Sequence, residues 1–181
     1  GTLTTSGAGS TSTISGNLHV GSTGSVNVET GATLDVGSVS MDSGAAVTMA
    51  GGTLSSAGAF CDLPDFATVE GHGTVATAFR GTQDSTLVAT GGTLAVGDDT
   101  SFLGFRTGGL IEVQSTGTLS IQDRDFAAVG VLTTLDGGTL EVSNGLFLGG
   151  TQVIDGHGSI SGKVSADFGS TVNASGGNLE I

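Results

Sequence analysis

Tryptophan and tyrosine are absent from this chain of 181 residues, which holds one cysteine, Cys61, one proline, Pro64, and four basic residues, Arg80, Arg106, Arg124 and Lys163. Each scarcity removes a class of protein. A single cysteine closes no internal disulfide. Four basic residues against 17 acidic ones leave a net charge of −13, a surface that repels nucleic acid and anionic membranes. No apolar run has the length that spans a bilayer, and no secretory leader pattern is present, so membrane insertion is not expected. Helical periodicity is missing throughout. The pattern of residues must therefore come from strands and turns.

Glycine supplies 34 residues, a share that suits a disordered chain, but 36% of the residues are hydrophobic and they recur at fixed spacing, which argues for order. A small residue, a small polar residue and an aliphatic one repeat along the chain, as in Ala32-Thr33-Leu34, Gly52-Thr53-Leu54 and Gly138-Thr139-Leu140. The aliphatic positions are Ile14, Leu34, Leu54, Val75, Leu94, Leu119, Leu140, Ile160 and Leu179, and the longest step between them runs from Leu94 to Leu119. A period of roughly 20 residues marks a solenoid. Within each rung apolar and polar residues alternate, as in Leu34-Asp35-Val36 and Leu140-Glu141-Val142, the mark of a half-buried strand. Such short strands bury their apolar face only by stacking coil upon coil, ~4.8 Å apart.

A second spacing points to an aromatic column. Phe105, Phe126, Phe147 and Phe168 follow one another at equal steps, and counting back by about one coil at a time reaches Phe79, Phe60 and Met41. Equal steps predict rings stacked inside the core. A longer repeat is also visible. Val69-Glu70-Gly71-His72-Gly73-Thr74-Val75 returns as Ile154-Asp155-Gly156-His157-Gly158-Ser159-Ile160, a duplicated block of about four coils. The expected fold is all-β, a single-stranded parallel β-solenoid forming one domain over 1–181, with about nine coils of roughly 20 residues each. Loop insertions are expected near 60–66, which holds the one proline and the one cysteine, and near 97–102, inside the long step from Leu94 to Leu119. Both ends look like rungs without caps. They predict a segment of a longer repeat protein, and end-to-end self-association where the ends meet.

Gly137-Gly138-Thr139-Leu140-Glu141-Val142, Gly156-His157-Gly158-Ser159-Ile160-Ser161-Gly162-Lys163-Val164 and the run from Thr107 to Ile121 resemble the passenger-type repeats of bacterial autotransporters and related large surface proteins. The resemblance covers nearly the whole chain. It implies a right-handed parallel β-helix, extracellular or on the bacterial cell surface, and it carries over no catalytic motif.

Three chemistries fit parts of the pattern. Acidic residues gather as Asp62, Asp65, Asp84, Asp98, Asp99, Asp123 and Asp125, and Arg80, Arg106 and Arg124 follow at about one coil each. Such a strip suits a carbohydrate-binding or polysaccharide-degrading β-helix, provided the carboxylates converge on one groove; solvated corner residues explain the same pattern. Asp62 with Asp65, and Asp98 with Asp99, are the calcium candidates, although the tandem repeat-in-toxin and EF-hand motifs are absent. His19, His72 and His157 are too scattered for zinc. A file of Thr13, Thr33, Thr53, Thr74, Thr93, Thr118 and Thr139 raises ice binding, but no second Thr rank accompanies it. The expectation is a structural or adhesive segment without a cofactor and not an enzyme, contacting extracellular glycan or protein surfaces.

Overall fold

Alternation of inward aliphatic and outward polar residues, interrupted by turns every few positions, leaves the chain one way to build a core: coil over coil. A computed structural model describes residues 1–58, 61–77, 79–97, 106–107, 109–122, 127–128 and 130–181. Their 18 strands run from Thr2–Thr5 to Thr171–Glu180, and every pairing between them is parallel. The fold is an all-β parallel solenoid.

The strands stack on three faces. The first face starts with Thr2–Thr5, continues through Ser25–Glu29 and the opening residues of Ala46–Ser56, and ends on Thr171–Glu180. The second carries the opening residues of Thr33–Met41, the closing residues of Ala46–Ser56 and Thr118–Ile121. The third has eight rungs, from the closing residues of Thr11–Val20 through Cys61–Leu63 and Phe79–Gly81 to Val164–Ala166, so complete turns are fewer than the nine expected. One apolar cluster fills the interior from Val20 to Ile160. Burying a Leu or Ile side chain in it contributes about 1.5–3 kcal/mol.

Leu34, Leu54, Val75, Leu94, Leu119, Leu140 and Ile160 are all buried, and Leu179 packs half-buried on the last coil. Their register differs from a single file. Leu34, Leu54 and Val75 lie opposite one another, as do Leu94, Leu119, Leu140 and Ile160. Between the two sets, Val75 faces Val96 and Gly73 faces Leu94. The corner explains this. One coil turns it with His72 alone, whereas the next uses residues 90–93, so the following strand enters displaced by two. A displacement of two keeps every side chain on its own side of the sheet, so Leu94 and Val96 both stay inside. The same slip recurs one repeat block later, where Gly158 faces Leu179. At the other end Ile14 faces Val36, not Leu34.

The aromatic column is corrected. Phe147 is the middle residue of Leu146–Leu148, and both flanking leucines are fully buried, so alternation turns the ring outward to 43% exposure. It pairs with Ser165, and Phe168 stands in a turn, 97% exposed. Phe60, Phe105 and Phe126 lie outside the described residues. Aliphatic side chains, not stacked rings, fill the described core.

The expected loop at 60–66 is also corrected. Cys61–Leu63 is a strand of the third face with Cys61 and Leu63 inward. Pro64 opens a tight turn closed by the Ala67 N–H donating to the Pro64 carbonyl at 3.0 Å. Phe66 takes φ 62° there, where the preceding coil uses Gly44. Of the expected insertion at 97–102, only Gly97 is among the described residues.

Candidate functional site

The third face carries the densest set of functional side chains among the described residues. Leu18 and Val20 pack inward or half-inward, so His19 between them points out. Val39 and Met41 are buried, so Ser40 points out. Cys61 and Leu63 do the same for Asp62. Parallel register then stacks these outward residues. His19 lies opposite Ser40, the Val39–Cys61 pairing carries the file on to Asp62, and Asp62 lies opposite Arg80. Neighbours in such a file stand ~4.8 Å apart.

Two groups of contacts run along the file. Arg80 grips Asp62 with Nε donating to Oδ1 at 2.7 Å and Nη2 to Oδ2 at 3.0 Å. The Asp62 hydrogen bond, then its charge, holds the guanidinium above its ordinary pKa. At the other end Ser38 Oγ donates to Asn17 Oδ1 at 3.0 Å, and Asn17 Nδ2 donates to Ser40 Oγ at 2.8 Å. Ser40 Oγ meets His19 Nδ1 at 3.2 Å, and His19 Nε2 lies 3.5 Å from Asp42 Oδ2. Beneath the file the Cys61 thiol is fully buried. Desolvation, with a smaller push from the Asp62 charge, raises its pKa to about 12, so it is a neutral core group and not a nucleophile.

Two concavities border the file. One of about 530 Å³ adjoins His19 and Asp42 and is lined further by Leu3, Leu18 and Val26. The other, of about 360 Å³, is lined by Met41, Leu63, Pro64 and Thr82 around the Asp62–Arg80 pair.

Of the calcium candidates, Asp62 has both oxygens engaged by Arg80, and Asp65 is exposed in the turn beyond Pro64. Asp98 and Asp99 lie outside the described residues. Among the described residues no three His, Cys, Asp or Glu side chains come together as a metal site. Of the Arg series, Arg80 and Arg106 are register partners, and Arg124 lies outside the described residues. The Thr file is split by the corner slip, with Thr33, Thr53 and Thr74 in one rank, Thr93, Thr118 and Thr139 in another, and Thr13 opposite Asp35. Its hydroxyls bond between rungs, as Thr139 Oγ1 does to Ser159 Oγ at 3.0 Å.

Sequence reasoning passed over His19, Ser40, Asn17 and Asp42 as a group. A signal for them exists: Leu18-His19-Val20 and Val39-Ser40-Met41 are the same alternating triplet, one coil step apart. No protein-family model, no curated protein and no solved structure matches the chain.

Proposed function

We propose that the chain is a rigid structural segment of a bacterial extracellular or cell-surface protein, which sets a fixed separation along its axis and offers its side faces as interaction surface. The observation that carries this reading is the apolar cluster from Val20 to Ile160, wrapped by parallel ladders whose outward polar groups bond from coil to coil. Such a stack resists bending because each coil is held by its neighbours on every face. The test is to incubate the purified chain with a panel of polysaccharides and follow chain cleavage. The structural reading predicts no product. Release of unsaturated or reducing-end sugars would replace it with a lyase or hydrolase.

A second reading, glycan binding without cleavage, is favoured by the Asp62–Arg80 pair in its concavity, together with Phe66, 69% exposed in the turn that Pro64 opens. A fixed bidentate ion pair offers directed donors and acceptors, and an exposed ring offers a face to a sugar. A glycan array decides it: binding that Phe66→Ala and Asp62→Ala both remove supports this reading, and a blank array contradicts it.

A further inference from the structure

We propose that Ser40 is an acyl-accepting nucleophile, with His19 as its base and with Asp42 and Asn17 as positioning residues. The inference does not depend on the structural role above. A solenoid segment with an inert Ser40 would still be a rigid segment, and a reactive Ser40 does not soften it.

The argument lies in the direction of the hydrogen bonds. Ser38 Oγ donates to Asn17 Oδ1 at 3.0 Å, which turns the Asn17 amide so that Nδ2 faces Ser40 Oγ at 2.8 Å. An amide nitrogen only donates, so Ser40 Oγ accepts there. Its own proton is then free for His19 Nδ1, 3.2 Å away. Accepting at Nδ1 leaves the neutral imidazole with its one N–H at Nε2, and that nitrogen faces Asp42 Oδ2 at 3.5 Å. The hydrogen bonds from Ser38 through Asn17 and Ser40 to His19 run the same way, and the far ring nitrogen of His19 lies beside a carboxylate. The result is a hydroxyl, a base that can take its proton, and an anion that favours the imidazolium so formed. Those are the roles that activate a serine, recognised by geometry and not by order in the chain.

The scaffold suits the role. All of these groups sit on or directly beside paired strands, with Asn17 opposite Ser38 and His19 opposite Ser40, so their separations are fixed by the ladder. The Asp42 N–H is itself held by the Val20 carbonyl at 2.8 Å. The side chains of His19 and Asp42 are 58% and 50% exposed, so a substrate reaches them from solvent. The outward pairs Ser55 to Asp35 and Thr139 to Ser159 join two groups and hold no histidine.

The substrate class is a carboxylic ester with a small acyl group; the neighbouring concavity is lined by His19 and Asp42 and not by Ser40, and Leu3 and Leu18 belong to its apolar part. Ser40 Oγ bonds to the carbonyl carbon while its proton passes to His19 Nδ1. The carbon–oxygen bond to the alcohol then breaks, and the alcohol leaves with that proton. Water adds to the acyl-Ser40 carbonyl, His19 takes and returns a proton in the same way, and the carboxylic acid departs with Ser40 restored.

The test uses the full chain with a fluorophosphonate probe, mapped by mass spectrometry, alongside release of p-nitrophenol from p-nitrophenyl acetate. The proposal predicts phosphonylation at Ser40 at least about 100-fold faster than at the exposed Ser22 or Ser43. Ser40→Ala removes both signals. His19→Gln lowers both by about 100-fold or more while the melting temperature holds. Should Ser40→Ala misfold, the His19→Gln comparison stands on its own, since it keeps Ser40 and removes the base. Labelling spread evenly over the serines, or labelling of Ser40 that His19→Gln leaves unchanged, overturns the proposal.

Discussion

The imidazole of His157 lies against the bare backbone of Gly177, so that a Cβ built on that glycine would stand 3.1 Å from His157 Cβ and 3.2 Å from the ring atoms Cγ and Cδ2. His72 meets Gly92 in the same way at 3.3–3.4 Å. On the other side a Cβ built on Gly137 would stand 3.5 Å from Nε2 of His157, and one built on Gly51 would stand 3.4 Å from Nε2 of His72. Each histidine of the duplicated block thus fills a slot between glycine pairs of the coils above and below. This gives the repeated Gly-His-Gly a packing role at the corner where the register slips.

Substitution at this corner should follow a ranking. Gly156 has φ 132°, and an added Cβ would run into the Leu135 carbonyl oxygen. Strain and clash together make Gly156→Ala cost about 2–5 kcal/mol. Gly177→Ala would press on His157 at 3.1–3.2 Å without overlapping backbone, and should cost about 1–2 kcal/mol. Urea denaturation of both variants checks the order, and equal midpoints would refute the packing described.

The core prediction contrasts two large residues. Leu140 is fully buried between Leu119 and Ile160, so Leu140→Ala should cost about 2–5 kcal/mol. Phe168 is 97% exposed, and Phe168→Ala should stay within about 0.5 kcal/mol of the parent. Thermal melts of the two variants decide the point.

That contrast also shows what the sequence reveals and what it hides. The aliphatic rungs were legible because a buried strand face imposes strict alternation, and Leu34, Leu54 and Leu140 obey it. The Phe spacing was equally regular yet misleading. Equal steps place residues in a column only when the intervening corners are of equal length, and side is set by immediate neighbours, as Leu146 and Leu148 set it for Phe147. The slip at His72 was hidden for the same reason, since a short corner and a longer one both fit the coil length. Of the third-face file, Asp62 and Arg80 were legible as an acid and a base one coil apart. His19 and Ser40 were not, because scattered histidines suggest chemistry only once the register is known.

Thr133 interrupts the inward file between Ile111 and Ile154, and its hydroxyl is buried without a hydrogen-bond partner. An unsatisfied buried hydroxyl costs about 1–3 kcal/mol. Thr133→Val keeps the branched shape and removes the polar atom, so it should raise stability by about 1 kcal/mol. A fall in the denaturation midpoint would place a partner at that hydroxyl.

Cys61 gives a pH dependence of definite sign. Burial raises its thiol from 9.0 to about 12 in the folded chain, while the unfolded chain keeps the ordinary value. Between those values the unfolded state loses the proton and the folded state retains it. Stability is therefore intact below about pH 9 and falls as pH rises towards 12, with a slope approaching about 1.4 kcal/mol per pH unit from this group. Cys61→Ala should flatten that slope. In the native chain a thiol reagent should react only on unfolding.

Rigidity along the axis is the claim on which the proposed role stands, and a distance distribution between two spin labels tests it most directly. Labels introduced through Ser22→Cys and Phe168→Cys lie in turns at the same corner, seven coil steps apart, while the buried Cys61 stays unlabelled. At ~4.8 Å per coil the account predicts one narrow peak near ~34 Å, widened only by the reach of the labels. A broad distribution or several separate peaks would contradict a continuous rigid solenoid.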